Sequence, residues 1–433
     1  MKRLFAFLLI ALLMAVNRPE SFAAELFSAD RKESISSSLS AEAVSENDAS
    51  MQVDIDCKAA LLMEASTGKV LTSIHEHEKR YPASVTKIMS LLLICEAIEA
   101  GKLSLADEIP ATPEACSKGG SQIWLEPGET MTVDELLKAT CIFSANDACT
   151  LLGEAVAGSD EAFVAMMNEK AAMLGMNDTN FENCTGLDDT AENHLTSAYD
   201  IALMSRALLK HDIVKEYSTV YMDTLRQGKT QLVNTNKLVR TYKGITGLKT
   251  GTTDKAGCCI SATAERDGLS LIAVVLGARD SAERFSGAKK LLDWGFANYE
   301  CFTPRVENEE LPVINVYRGA ERTVIPVPKA VSPVVLKRGQ SKAIKAVAEC
   351  GESVLAPVEK GQTLGMIKYY LDEERRMHLP LEGCRQIVRE AACKSLRHVS
   401  LAGGDFVKRI SLSLLFRFLR TECSRQGRRS LPV

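Results

Sequence analysis

Apolar and polar positions along the chain change period several times, and each change marks an element. Lys2 and Arg3 precede an apolar run from Leu4 to Val16, followed by "SFAA" with small residues at Ser21 and Ala23. That order predicts a signal peptide over 1–23, cleaved after Ala23; the run is short for a spanning helix. Residues 24–50 are polar and serine-rich without apolar periodicity, a linker. "CKAALLMEASTGKVLTSI" places two apolar runs around Ser66-Thr67-Gly68, a strand–turn–strand signal. From Pro82 to about Ala100 the period is helical, with Gly101 as the stop; "IMSLLLICEAI" is apolar nearly all round and predicts a buried, central helix. Further helical runs follow in "TVDELLKATCIF", "DACTLLGEAVAG", "DEAFVAMMNEKAAMLG" and "AYDIALMSRALLK".

After about residue 240 the pattern turns to strands, "GITGLKTGTT", "GCCISATAER" and "SLIAVVLGA", closed by the helix "AERFSGAKKLLDWGFANY". Strands, a helical block and strands again predict an α+β domain over 51–300 with a helical insertion. Residues 301–382 alternate short β-rich runs with Pro and Gly turns and read as a small all-β domain. The tail, 383–433, is strongly basic; in "DFVKRISLSLLFRFLR" the residues Phe406, Ile410, Leu414 and Phe418 share one helical stripe. No stretch after the first run is long and apolar enough to span a bilayer.

Composition narrows the classes. The 433 residues carry a net charge of −4 with ordinary apolar and charged fractions, which fits folded domains and gives no basic field for nucleic acid. The thirteen cysteines are odd in number, irregular in spacing and without CxxC, so most are expected as buried free thiols, Cys95, Cys141 and Cys149 among them. His75 and His77 in "SIHEHEKR" would share a strand face, but no third ligand is evident and no metal site is expected.

The candidate chemistry starts at Ser84 and Lys87. Ser-x-x-Lys should occur roughly twice by chance in a chain this long, and Ser66-Thr67-Gly68-Lys69 is a second copy. Ser66 and Lys69 flank a turn glycine, which fixes nothing. Ser84 and Lys87 sit in the first turns of a buried helix, where residues three apart share a face. A serine hydroxyl needs a base, and lysine serves only when neutral, which burial and a nearby second cation both favour. Lys249 in Lys249-Thr250-Gly251-Thr252 is a candidate for that cation; strand alternation puts Lys249 and Gly251 on one face, Thr250 and Thr252 on the other. Ser144-Ala145-Asn146 lies between two helical runs, where Asn146 alone could equally be an N-cap.

The three motifs in this order, Ser-x-x-Lys, Ser-x-Asn and Lys-Thr-Gly, form the constellation of penicillin-binding proteins and class A β-lactamases. With "GGSQIWLEPGETMTVDELLKA", "MNEKAAMLGMNDTNFENCTGLDD", "HLTSAYDIALMSRALL" and "AKKLLDWGF", the chain resembles the low-molecular-mass penicillin-binding D-alanyl-D-alanine carboxypeptidases of DacA/DacF type over about residues 52–382. The resemblance implies a penicillin-binding-protein/β-lactamase-like serine transpeptidase domain with a helical insertion, followed by the all-β domain. It implies a serine carboxypeptidase that removes the terminal D-alanine of peptidoglycan stem peptides and is acylated by β-lactam antibiotics. Ser84 would be the nucleophile, Lys87 its base and Ser144 a proton relay to the leaving amine. Asn146 would hold the substrate backbone, Lys249 would polarise the relay, and Thr250 and Thr252 would bind the terminal carboxylate. Backbone N–H groups of Ser84 and Thr252 would form the oxyanion hole. No metal or organic cofactor is implied. A basic residue that some relatives carry just before "LIAVVLG" is matched here only by Ser270, with Arg266 nearby. The tail would anchor the exported protein peripherally to an anionic membrane surface, on the outer face of the bacterial cytoplasmic membrane. A β-lactamase is disfavoured because no "ExxLN" lies between Ser144 and Lys249. A DD-endopeptidase, or a non-catalytic penicillin-binding sensor, remains an alternative for the same triad.

Overall fold

The structure is a computed structural model that describes residues 53–189, 191–303, 311–328, 333–371 and 375–383. The expected signal peptide, linker and basic tail fall outside these residues.

A five-stranded antiparallel sheet organises residues 53–300. Its spatial order is Val70–Ile74, Ala59–Glu64, Leu269–Ala278, Gly257–Arg266 and Ile245–Thr253. The first strand thus pairs with the last, and the helical insertion lies between Ile74 and Ile245. Both faces are covered, so the inner strands are continuously apolar. All six residues of Ala59–Glu64 are buried: Ala59, Leu61 and Met63 join the core under the helical block, Ala60 and Leu62 the core on the other face. That second face is closed by the helix Ser281–Asn298, through Ala288, Leu291, Leu292 and Phe296.

The expected central helix is present with a break at its start. Ala83–Thr86 is a 3₁₀ turn, and the α-helix proper runs Lys87–Glu99, with buried residues from Lys87 to Cys95 and again at Ala97. Ser84 and Lys87 therefore straddle a change of helix type rather than share one α-turn. The run "TVDELLKATCIF" also divides, into an α-helix Val133–Lys138 that begins with a Thr132–Glu135 capping box and a π-turn Ala139–Phe143. The next helix, Asn146–Ala157, has Ala145 at its N-cap, so Asn146 is the first helical residue and not the cap.

From Tyr299 onward the described elements are strands, apart from one 3₁₀ turn at Gln340–Ala343. Thr363–Leu371 lies between Lys345–Cys350 and Arg375–Gly383 in a four-stranded sheet, completed by Pro326–Pro328. This part has small cores of its own, one of them Ile314, Val316, Val324, Ala356 and Val358. It is tied to the preceding helix: Val335 enters the core with Phe296, and Arg338 Nη2 donates to Phe296 O at 2.5 Å.

All ten described cysteines are free, and six of them are buried, Cys95, Cys141 and Cys149 included. His75 and His77 do not share a strand, because the strand ends at Ile74 and His75 turns the chain with φ +46°. Among the described residues no group of His, Cys, Asp and Glu could hold a metal ion, and no helix is long and apolar enough to cross a membrane.

Candidate active site

The site forms where the 3₁₀ turn, the π-turn and the edge strand Ile245–Thr253 converge. Gly251 sets their spacing: a Cβ there would lie 2.8 Å from Pro82 O and from Ser84 N. Only glycine lets the strand approach the serine's backbone this closely. A second glycine works from the opposite wall, since a Cβ on Gly186 would meet Ala83 O at 1.8 Å.

Lys87 is wholly buried. Its Nζ lies 3.0 Å from Ser84 Oγ, 2.5 Å from Asn146 Oδ1 and 2.9 Å from Thr185 O. Burial pushes its pKa down to about 8, against smaller opposing effects from Cys149, Cys184 and Asp147. Lys249 is 1% exposed, and its Nζ donates to Thr250 O at 3.2 Å. Burial first, and the charge of Lys87 second, hold it well below the ordinary lysine range. Two ammonium groups in one desolvated pocket oppose each other, so the pair favours a single charge.

Ser144 ends the π-turn in the left-handed region, φ +68° and ψ +29°. Its hydroxyl is buried without a hydrogen-bond partner among the described residues, an unusual state for a buried polar group. Asn146 is engaged at both ends: besides accepting from Lys87, its Nδ2 donates to Gly119 O at 2.7 Å. In this state it holds the lysine and the facing loop, with a second amide N–H still to donate.

Alternation along the edge strand is as expected. Lys249 and Gly251 face inwards, while Thr252 Oγ1 accepts from Arg284 Nη1 at 2.9 Å. Thr250 Oγ1 donates to Thr235 Oγ1 at 2.7 Å. Arg284, on the helix behind the sheet, is 7% exposed and also donates to Gly251 O at 3.0 Å. It is a basic side chain hydrogen-bonded directly to Thr252, unlike Ser270 or Arg266. Arg266 is instead stacked between the rings of Tyr242 and Phe296, each 4.5 Å from its guanidinium carbon; the Ser270 backbone carbonyl accepts from Ala65 N.

Of the seven residues singled out in the sequence, Ser84, Lys87 and Asn146 are joined by hydrogen bonds, Lys249 lies close enough to feel the charge of Lys87, Thr250 and Thr252 flank the Gly251 that meets Ser84, and Ser144 ends the turn just before Asn146. Three contributors had no readable signal. Thr185 acts through a backbone carbonyl, Thr235 through a loop contact, and Arg284 looks like any charge on an amphipathic helix. The competing copy, Ser66-x-x-Lys69, is a turn tied down by buried Glu64, which accepts from the Ser66 and Thr67 hydroxyls at 2.8 and 2.6 Å and from both backbone N–H groups.

Residues 44–280 match the D-alanyl-D-alanine carboxypeptidase family, and residues 299–382 match the C-terminal domain of penicillin-binding protein 5. The chain belongs to the D-alanyl-D-alanine carboxypeptidase family. It is 38% identical over 378 residues to D-alanyl-D-alanine carboxypeptidase DacF of Bacillus subtilis, covering 86% of this chain and 92% of that protein. It is 34% identical over 343 residues to DacA of Escherichia coli, covering 77% and 84%. Penicillin-binding protein 5 from Haemophilus influenzae superimposes with a TM-score of 0.64 at 28% identity, covering 78% of this chain and 98% of that one. Penicillin-binding protein D2 from Listeria monocytogenes, solved in its ampicillin-bound form, does so with a TM-score of 0.52 at 31% identity, over 57% and 99%. This carboxypeptidase therefore has the penicillin-binding fold, a mixed helix-and-sheet N-terminal domain followed by a β-rich C-terminal one. It is a serine hydrolase of the cell wall by family.

Proposed function

We propose that Ser84 attacks the carbonyl between the two terminal D-alanines of a peptidoglycan stem peptide, and that Lys87 takes its proton. One observation carries this reading. A neutral amine has two N–H donors and one lone pair. Asn146 Oδ1 and Thr185 O are pure acceptors and occupy the two donors, which leaves the lone pair of Lys87 for the Ser84 hydroxyl 3.0 Å away.

The remaining roles follow from position. The oxyanion forms against the backbone N–H groups of Ser84 and Thr252, and losing one such donor costs roughly a hundredfold in rate or more. The unpaired hydroxyl of Ser144 relays a proton to the departing D-alanine amine, with Lys249 polarising the relay. Thr250 and Thr252 bind the terminal carboxylate, with Arg284 supplying charge through Thr252. Asn146 positions Lys87 through Oδ1 and offers its second amide N–H to the substrate backbone. Water then hydrolyses the Ser84 ester. β-Lactams such as the ampicillin bound by the Listeria relative would acylate the same serine.

The test is mass spectrometry after a fluorescent penicillin, with D-alanine release from a pentapeptide measured in parallel. Label is expected on Ser84 alone and unchanged in Ser66→Ala. Label on Ser66, or label surviving in Ser84→Ala, overturns the assignment. Label without D-alanine release would make the protein a sensor, and rapid loss of label a β-lactamase. We infer from the sequence that the enzyme is exported and held peripherally at an anionic membrane surface by its tail.

A further inference from the structure

Trp124 is 74% exposed, yet its neighbours Ile123 and Leu125 are 2% and 5% exposed. Its φ of +59° is left-handed, a conformation costly for a bulky residue. The backbone on either side is fixed from two directions. Asp147, wholly buried and next to Asn146, accepts from Ile123 N at 3.1 Å and Leu125 N at 3.1 Å. Arg226, at the tip of the hairpin Met222–Leu225/Thr230–Val233, donates to Ile123 O at 2.8 Å and Trp124 O at 3.4 Å, and is held by Glu129 at 2.6 Å.

This clamp sits on the cleft. Gly119 O and Ser121 O, just before Trp124, accept from the side chain and backbone of Asn146, both at 2.7 Å. The base of the same hairpin leads to Thr235, which meets Thr250. The exposed indole therefore rises from a loop tied to Asn146 on one side and, through Arg226 and its hairpin, to Thr235 and Thr250 on the other. Surface tryptophans are ordinarily free to fold down; here buried anchors and a strained backbone hold one up.

We propose that Trp124 is a specificity residue that packs against the stem-peptide residues on the acyl side of the scissile bond. This rests on the carboxypeptidase reading above. That reading fixes the terminal carboxylate at Thr250, Thr252 and Arg284. The rest of the peptide must then leave the cleft past the opposite wall, which Asn146 and the loop 119–125 build. The indole offers an apolar face to the alkyl portions of those side chains, at little entropic cost because its backbone is already fixed.

The experiment compares a full stem pentapeptide with N-acetyl-D-Ala-D-Ala, which lacks the residues Trp124 would touch. Trp124→Ala should lower kcat/KM for the pentapeptide about tenfold more than for the dipeptide, chiefly through KM, and Trp124→Phe should recover most of the difference. A second readout needs no turnover. The chain has two tryptophans, the other being Trp294. In Ser84→Ala, pentapeptide should change the indole emission, and the change should vanish in Ser84→Ala/Trp124→Phe. Equal losses on both substrates, no loss at all, or an emission change that survives Trp124→Phe overturns the proposal. Should Trp124→Ala not fold, the Phe variant and the emission change still decide. Failure of the carboxypeptidase reading would appear differently, as absent D-alanine release in the unaltered protein.

Discussion

Lys87 and Lys249 show what the site costs the fold. Burial lowers the pKa of Lys87 from 10.5 to about 8. An unfolded chain would hold that proton up to about 10.5, so unfolding free energy rises with pH between about 8 and 10.5, and below that window the fold carries a penalty of about 3 kcal/mol. In the mechanism proposed above activity follows the same group, because only neutral Lys87 accepts the serine proton. Acylation of Ser84 by penicillin should therefore climb about tenfold per pH unit below a midpoint near 8 and level off above it. Should Lys249 carry the charge while Lys87 is the base, Lys249→Gln should move that midpoint upward; an unchanged pH profile with only a raised KM would confine Lys249 to carboxylate binding. The two lysines differ in what they leave behind. Lys87 is matched by three oxygens, Ser84 Oγ, Asn146 Oδ1 and Thr185 O, which its loss would strand, whereas Lys249 Nζ makes one hydrogen bond among the described residues, to Thr250 O. Lys249→Met should thus be inactive yet no less stable, because it removes a desolvated amine that makes a single hydrogen bond among the described residues. A thermal melt that falls instead would show that the lysine stabilises its pocket.

At the level of elements, the sequence revealed more of the architecture than of the junctions. Apolar period placed the strands and the central helix, because burial on two faces leaves a plain run of hydrophobes. It could not show that Ser84 lies in a 3₁₀ turn, or that the run before Ser144 ends in a π-turn, since both junctions are set by packing against distant segments. Gly251 and Gly186 are the clearest case. In the sequence they are two small residues in Lys-Thr-Gly and Cys-Thr-Gly; in the fold they press the Ser84 turn from opposite walls. Gly251→Ala should push the strand off Ser84 N and reduce penicillin acylation at least a hundredfold, since an oxyanion donor would be displaced. Near-normal acylation would mean that the turn can yield by several tenths of an ångström. Asp147 is the other junction. It is buried and accepts four hydrogen bonds from backbone N–H groups of Ile123, Leu125 and Ala148. Hydrogen bonds to a charged acceptor contribute about 1.5–3 kcal/mol each at most in isolation and less as a set, so Asp147→Ala should cost about 3 kcal/mol, readable as a lower denaturation midpoint. "SANDA" gave no hint of this, because Asp after Asn reads as ordinary helix-start polarity.

For the whole molecule, the question is how a cleft acting on wall-bound peptide is kept near its substrate. The β-rich part ends on the strand Arg375–Gly383, whose Leu381, Glu382 and Gly383 pair with Pro328, Val327 and Pro326. Removing those pairs would damage the sheet, so a clean truncation lies after Gly383. Beyond it, the proposed anchor "DFVKRISLSLLFRFLR" combines an apolar stripe with Lys408, Arg409, Arg417 and Arg420. A helix of that kind binds an anionic surface through apolar burial and charge together, with each basic residue near the surface contributing about 1 kcal/mol. The charge part is screened within about 10 Å at 0.1 M salt. The enzyme ending at Gly383 should retain activity on soluble pentapeptide and move from the membrane fraction to the soluble one. The full chain should sediment with vesicles that contain anionic lipid, less with neutral ones, and less again as salt rises. Equal sedimentation of the two proteins would show that the tail is not the anchor, and would turn the search to the exposed face of the C-terminal sheets, where Tyr317 and Leu355 lie side by side.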